Sequence, residues 1–182
     1  MKKIAFLCTC LWILCAFQQE NTILWKENRK LAWTDFQGKP DESSPFKAKT
    51  ESSLDIQIAT QGTEATITMQ TSFNKKASWV KTETDLLLKH EQTHFDIAEL
   101  WTRKFKQKLK GKTFSMKSFQ STLNELHREI QREGKAMQAT YDRETNHSVI
   151  EKEQDKWTKK ITTDLKSLSE FTGPTVTCKL SK

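Results

Sequence analysis

Cysteine is almost missing from this chain. Of the four, Cys8, Cys10 and Cys15 stand in the opening stretch, and only Cys178 lies beyond it. Once that stretch is removed no internal disulfide can form, even in an oxidising compartment. Long apolar runs are lacking too. The longest, Ile4 to Phe17, is uncharged over fourteen residues, short of the about twenty that a membrane-crossing helix needs. Internal repeats and low-complexity tracts are absent. With His limited to four and Tyr to one, few side chains can fill a ligand or proton-transfer role.

Lys2-Lys3, the uncharged run and the polar Gln18-Gln19-Glu20-Asn21 together describe an export signal over residues 1–17. No Ala-x-Ala cleavage site is present; cleavage after Ala16 fits best. Lipidation of Cys10 or Cys15 is the alternative, leaving a membrane-anchored mature chain. Contact with a membrane is expected only through one of these two devices. About 165 residues then remain, enough for one domain with its own core. The formal charge falls from +7 to +5 when Lys2 and Lys3 leave, with 28 basic against 23 acidic residues. The densest basic cluster, Arg103 to Lys112, reads as a solvated helix end complementing the macrodipole. Nucleic acid is therefore not expected as a partner.

The chain's organising stretch is Leu86 to Phe105, with His90-Glu91-Gln92-Thr93-His94 at its centre. On a helix four residues make slightly more than one turn, so both imidazoles share a face and can share an ion. At about 100° per residue, Leu87, His90, Glu91, His94, Ala98, Trp101 and Phe105 fall within an arc of roughly 100°. Three ionisable groups inside an apolar stripe are costly to bury unless paired or bound to a metal.

Ahead of this helix the pattern is β. Ile23-Leu24-Trp25 opens a short strand, and Leu31 to Phe36 alternates before Gly38 and Pro40. Leu54, Ile56 and Ile58 alternate up to a turn at Gln61-Gly62. Ala65, Ile67 and Met69 then alternate up to Phe73, which makes a hairpin. Trp33, Phe36 and Trp79 are read as core rather than as a substrate groove. Three helices follow. The first starts near Thr82, with Asp85 three residues on as a capping box. The second runs from about Ser115 to Tyr141, and the third opens at Ser148 with Glu151 as its box. Residues 173–182 read as a loose polar tail. The fold class is α+β.

Two histidines do not complete a catalytic zinc site, which takes three protein ligands and keeps one position open. Leu100 stands where a third His six residues past His94 would lie. Asp96 and Glu99 point about 160° and 140° away from His94 on the same helix, so they read as surface or outer groups. His147, in a polar segment following the second helix and near Tyr141, is the expected third ligand. Glu144 and His127 are its rivals. Asp142 or Glu144 would serve as the fourth ligand of a closed, structural site.

Four separated blocks carry a resemblance. They are Trp33-Thr-Asp-Phe-Gln-Gly-Lys-Pro40, Ser78-Trp79-Val80, Leu88 to Ile97, and Tyr141-Asp-Arg-Glu-Thr-Asn-His147 with Gln154 and Trp157. In order and together they resemble the bacterial exported family called domain of unknown function 922, regarded as predicted secreted zinc-dependent proteases. The resemblance spans roughly residues 24 to 170. This chain carries Thr93 and Ser148 where the family often has Gly. The resemblance implies an HExxH metallopeptidase with a zincin-like single domain over residues 22–172, exported from a bacterial cell to periplasm or medium.

The expectation is thus a zinc peptidase acting on a peptide or protein. His90, His94 and His147 hold Zn²⁺, whose charge acidifies a water and polarises the scissile carbonyl. Glu91 is the general base, and Tyr141 donates to the oxyanion. Ser78-Trp79-Val80 could pair with an extended substrate. An exported binding or interaction module with a structural or vestigial zinc site is the alternative. The sequence leaves the substrate and the oligomeric state open.

Overall fold

In a computed structural model the protein is described over residues 21–182; the expected export signal, with Cys8, Cys10 and Cys15, lies outside the described residues. Among the described residues, seven strands and three long helices make an α+β fold. The strands are β1 (Thr22–Leu24), β2 (Ala48–Lys49), β3 (Ser52–Gln61), β4 (Glu64–Asn74), β5 (Trp79–Val80), β6 (Thr113–Ser115) and β7 (Thr175–Ser181). The helices are α1 (Asp85–Leu109), α2 (Phe119–Thr145) and α3 (Glu151–Ser167).

Strand β4 is the spine of the sheet. Its odd-numbered residues Ala65, Ile67, Met69, Thr71 and Phe73 all point inward and are buried. The expected hairpin forms: β3 pairs antiparallel with β4 from Ser52↔Phe73 to Gln61↔Glu64. Its two-residue turn places Gly62 at φ +59°, a conformation glycine adopts without the usual Cβ penalty. The opposite edge of β4 is shared, by β7 along Glu64–Thr68 and by β1 along Ser72–Asn74. Strand β6 adds beyond β7 in parallel, and β2 pairs with β5 apart from the main sheet.

Several sequence expectations are corrected here. Residues 173–182 are not a loose tail, since β7 is paired on both edges and buries Val176, Cys178 and Leu180. The alternation of those three residues was the available signal, masked by the polar residues between them. Leu31 to Phe36 is no strand; Trp33–Asp35 forms a 3₁₀ turn in which Asp35 accepts from the Ala32 N–H at 2.8 Å. The cap of α1 is Thr84, whose side chain accepts from the Leu87 N–H, not Thr82. Ser148 does not cap α3, which begins after Ile150 without a side-chain cap.

Helix α1 is the hub. It packs on β3, β4 and β7 and on both α2 and α3, so it is covered nearly all round rather than along one stripe. Asp96 and Glu99 are accordingly buried, not on the surface. Asp96 accepts from Trp25 Nε1 at 2.7 Å and from Gln92 Nε2 at 2.8 Å. Glu99 accepts from Arg103 Nε at 2.8 Å and from the Thr71 hydroxyl at 2.7 Å. Trp79 and Phe36 are buried as expected of core residues. Gly38 lies so close to the 76–78 backbone that a Cβ there would sit 2.7 Å from the Lys76 and Ser78 carbonyl oxygens.

Candidate metal centre

His90 and His94 leave α1 on one face, one turn apart, toward the C-terminal end of α2. There Asp142 meets them. His90 Nε2 lies 3.1 Å and His94 Nε2 3.0 Å from Asp142 Oδ1, and the two ring nitrogens are 3.0 Å apart. These three form a group that could hold a metal ion. No proton arrangement satisfies all three sides of that triangle at once, because each side needs one donor and one acceptor.

His94 is fixed from behind by a residue the sequence reading did not single out. Gln138 Oε1 lies 2.5 Å from His94 Nδ1, and Gln138 Nε2 donates to the His94 carbonyl at 2.9 Å. With Nδ1–H donating to Gln138, the neutral ring has Nε2 as its unprotonated, ligating nitrogen, whereas the protonated ring donates from Nε2 to Asp142. Gln138 stands four residues before Asp142, so helical spacing puts both on the face toward α1. That spacing was the signal available in the sequence. His90 Nδ1 is buried without a hydrogen-bond partner among the described residues.

The charges of the group are coupled. Burial alone would raise the Asp142 pKa, but hydrogen bonds from His90 and His94 outweigh it and hold the carboxyl far below its usual range. Burial pushes the His90 pKa down. The His94 pKa is raised even though its largest single influence, burial, lowers it; Asp142 and Glu91 together overcome that influence. An anionic corner beside two imidazoles is a setting that attracts a cation.

Glu91 is 3% exposed and lines the same cleft, with Oε2 free of any hydrogen-bond partner among the described residues. It stands outside the three-residue group. Tyr141 is fully buried behind the histidines and does not line the cleft. Its ring stacks on His90 at 4.6 Å and meets His94 edge-on at 5.0 Å. Its hydroxyl points to the His90 carbonyl at 3.4 Å, and burial pushes its pKa up.

The third corner, expected of His147, is occupied by Asp142. His147 stands one step outward, with Nδ1 3.4 Å from Asp142 Oδ1 and its ring against Phe46 at 4.8 Å. The cause is the end of α2. Asn146, His147 and Ser148 take φ of 47°, 51° and 78°, a left-handed run that turns the chain off the helix before His147 can face α1. Of the rivals, Glu144 accepts from Trp157 Nε1 at 2.8 Å. His127 stacks on Phe105 at 5.7 Å, partly buried rather than in solvent. Neither joins the group. Ser78–Val80 does not border the cleft either, being tied to β2 and to the Asn74 carbonyl. The strands that do are β2, through Ala48 and Lys49, and β3, through Ser52 and Leu54.

The cleft has a volume of about 760 Å³, within the usual range for ligand sites. The sequence profile of one family, described as "Bacterial protein of unknown function (DUF922)", matches residues 20–148. The chain belongs to that family. The matched part of this family member contains His90, Glu91, His94, Gln138, Asp142 and His147, and stops short of α3 and β7. No curated protein and no solved structure matches the chain significantly.

Proposed function

We propose that this family member is an exported zinc-dependent peptidase in which His90, His94 and Asp142 hold the ion and Glu91 is the general base. One observation carries the reading: two imidazole nitrogens and a carboxylate oxygen converge at 3.0–3.1 Å from one another, beside the unpartnered carboxylate oxygen of Glu91. Ligands about 2.0–2.1 Å from a tetrahedral ion lie about 3.3 Å apart, so the triangle is close to that size. Two His and one carboxylate is a known catalytic zinc set, with a fourth position open. Bound there, the ion supplies Lewis-acid chemistry, acidifying water and polarising a carbonyl.

The chain's own groups do the rest. Glu91 takes a proton from the attacking water and delivers it to the leaving amine. Gln138 holds His94 in the ligating tautomer, a constraint of the kind that sustains metal affinity. Tyr141 braces the His90 ring instead of donating to the oxyanion. His147, half exposed at the mouth, is the side chain available to donate to the developing oxyanion. Export rests on Lys2-Lys3 and the uncharged run that follows.

A second reading is a binding module with a closed, structural ion. It is favoured by His147, which stands near enough to Asp142 to become a fourth ligand. The two readings separate on one protein. The mature chain should purify with close to one zinc, and Glu91→Gln should keep that zinc while losing hydrolysis of a peptide library. Metal-free protein even after zinc is supplied would overturn both readings. Zinc retained by a wild type that cleaves nothing would favour the structural one.

A further inference from the structure

The cleft continues past the metal triangle along α1. Ala98 and Trp101 lie one and two turns beyond His94, about 6 and 10 Å along the axis. Opposite them on α2 are Gly134 and Ile130, and Leu54 of β3 closes the side. These residues make the arm more apolar than the end that holds His90, His94 and Asp142, although Thr102, Gln131 and Lys135 line the cleft as well. Two details describe its wall. Gly134 lets α2 close tightly on the Trp101 ring of α1, since a Cβ there would press on it at 3.3 Å. Trp101 Nε1 is buried without a hydrogen-bond partner among the described residues, and such a donor is costly to leave unpaired.

We infer that the arm bounded by Ala98, Trp101, Ile130, Gly134 and Leu54 receives a large apolar side chain of the substrate peptide, next to the bond cleaved. The inference rests on the peptidase reading for the occupant's identity. An apolar side chain replaces water along Leu54 and Ile130. Ala98 and Gly134 are the specificity-determining positions, because they set the depth of the arm. A charged side chain would lose hydration against Leu54, Ala98, Trp101 and Ile130.

The test uses the full mature chain carrying Glu91→Gln, loaded with zinc, so that binding is read without hydrolysis. The probes are acetylated, amidated hexapeptides of alanine with Leu, Phe, Ala or Asp at one position, measured by calorimetry. Leu and Phe should bind about tenfold or more tighter than Ala, a discrimination in the range apolar pockets achieve, with Asp weakest. Ala98→Leu, which fills the arm from an open lining position, should cut that preference to under about threefold with zinc content unchanged. Gly134→Ala should act in the same direction from the other helix. Equal affinity for all four probes, no binding of any, or a preference untouched by Ala98→Leu would overturn the inference. A wild type that shows the binding preference but cleaves no peptide would overturn the peptidase reading and leave the pocket standing.

Discussion

At the residue scale the candidate metal centre turns on Asp142 and His147, whose side chains meet at 3.4 Å. Asp142→Ala removes a corner of the triangle and should weaken zinc binding more than the 10–100-fold that loss of a supporting group such as Gln138 costs. His147→Ala should leave zinc nearly stoichiometric and lower turnover only. Competition with a chelator, run on both variants, measures this; equal loss of zinc in the two would make His147 the ligand after all. Ser148 offers a separate test. At φ 78° it occupies backbone space that favours glycine, at a cost of about 1–2 kcal/mol for other residues. Ser148→Gly should therefore raise stability by about 1 kcal/mol or less, after glycine's greater freedom in the unfolded chain is deducted. Urea denaturation would read it, and a loss of stability would contradict it. The same geometry explains why His147 stands outside the group of three. His90, Glu91 and His94 were legible because helical spacing alone groups them, whereas His147 looked well placed until its left-handed turn carried it outward.

At the element scale α1 is held by ionic groups that a single apolar stripe did not reveal. Glu99 and Arg103 are both buried, joined at 2.8 Å, and Arg103 also donates to the Leu165 carbonyl and covers the Trp25 ring. Glu99→Ala strands a buried guanidinium and should cost about 3–5 kcal/mol. Thermal melts of Glu99→Ala and of the paired Glu99→Leu/Arg103→Leu variant check this. The double variant should recover much of the loss, since removing both charges leaves none uncompensated. Helix phase placed Asp96 and Glu99 correctly as turned away from His94, but phase cannot say what packs on the far side. The β4 contact through Thr71 and the Trp25 indole answered that, and both come from distant parts of the chain. Strand β7 taught the same lesson, because its short alternating run gains meaning only beside β4. Deleting residues 175–182 should abolish cooperative unfolding; a deletion variant with an unchanged melt would show β7 to be dispensable.

At the scale of the whole molecule, one feature of the sheet governs how the fold is reached in time. Strand β4 is made early, yet half of its second edge waits for β7, whose Cys178 sits opposite Ala65. Between them the chain must lay down β5, β6 and all three helices. Pairings across such sequence distances close slowly, because loop entropy is lost before the contact repays it. Until then the strand that carries Ile67 and Met69 presents a bare apolar edge, open to wrong partners. Completion of the sheet is thus among the last events in folding. The last seven-residue strand to be made is the one that closes the edge of the first long hairpin.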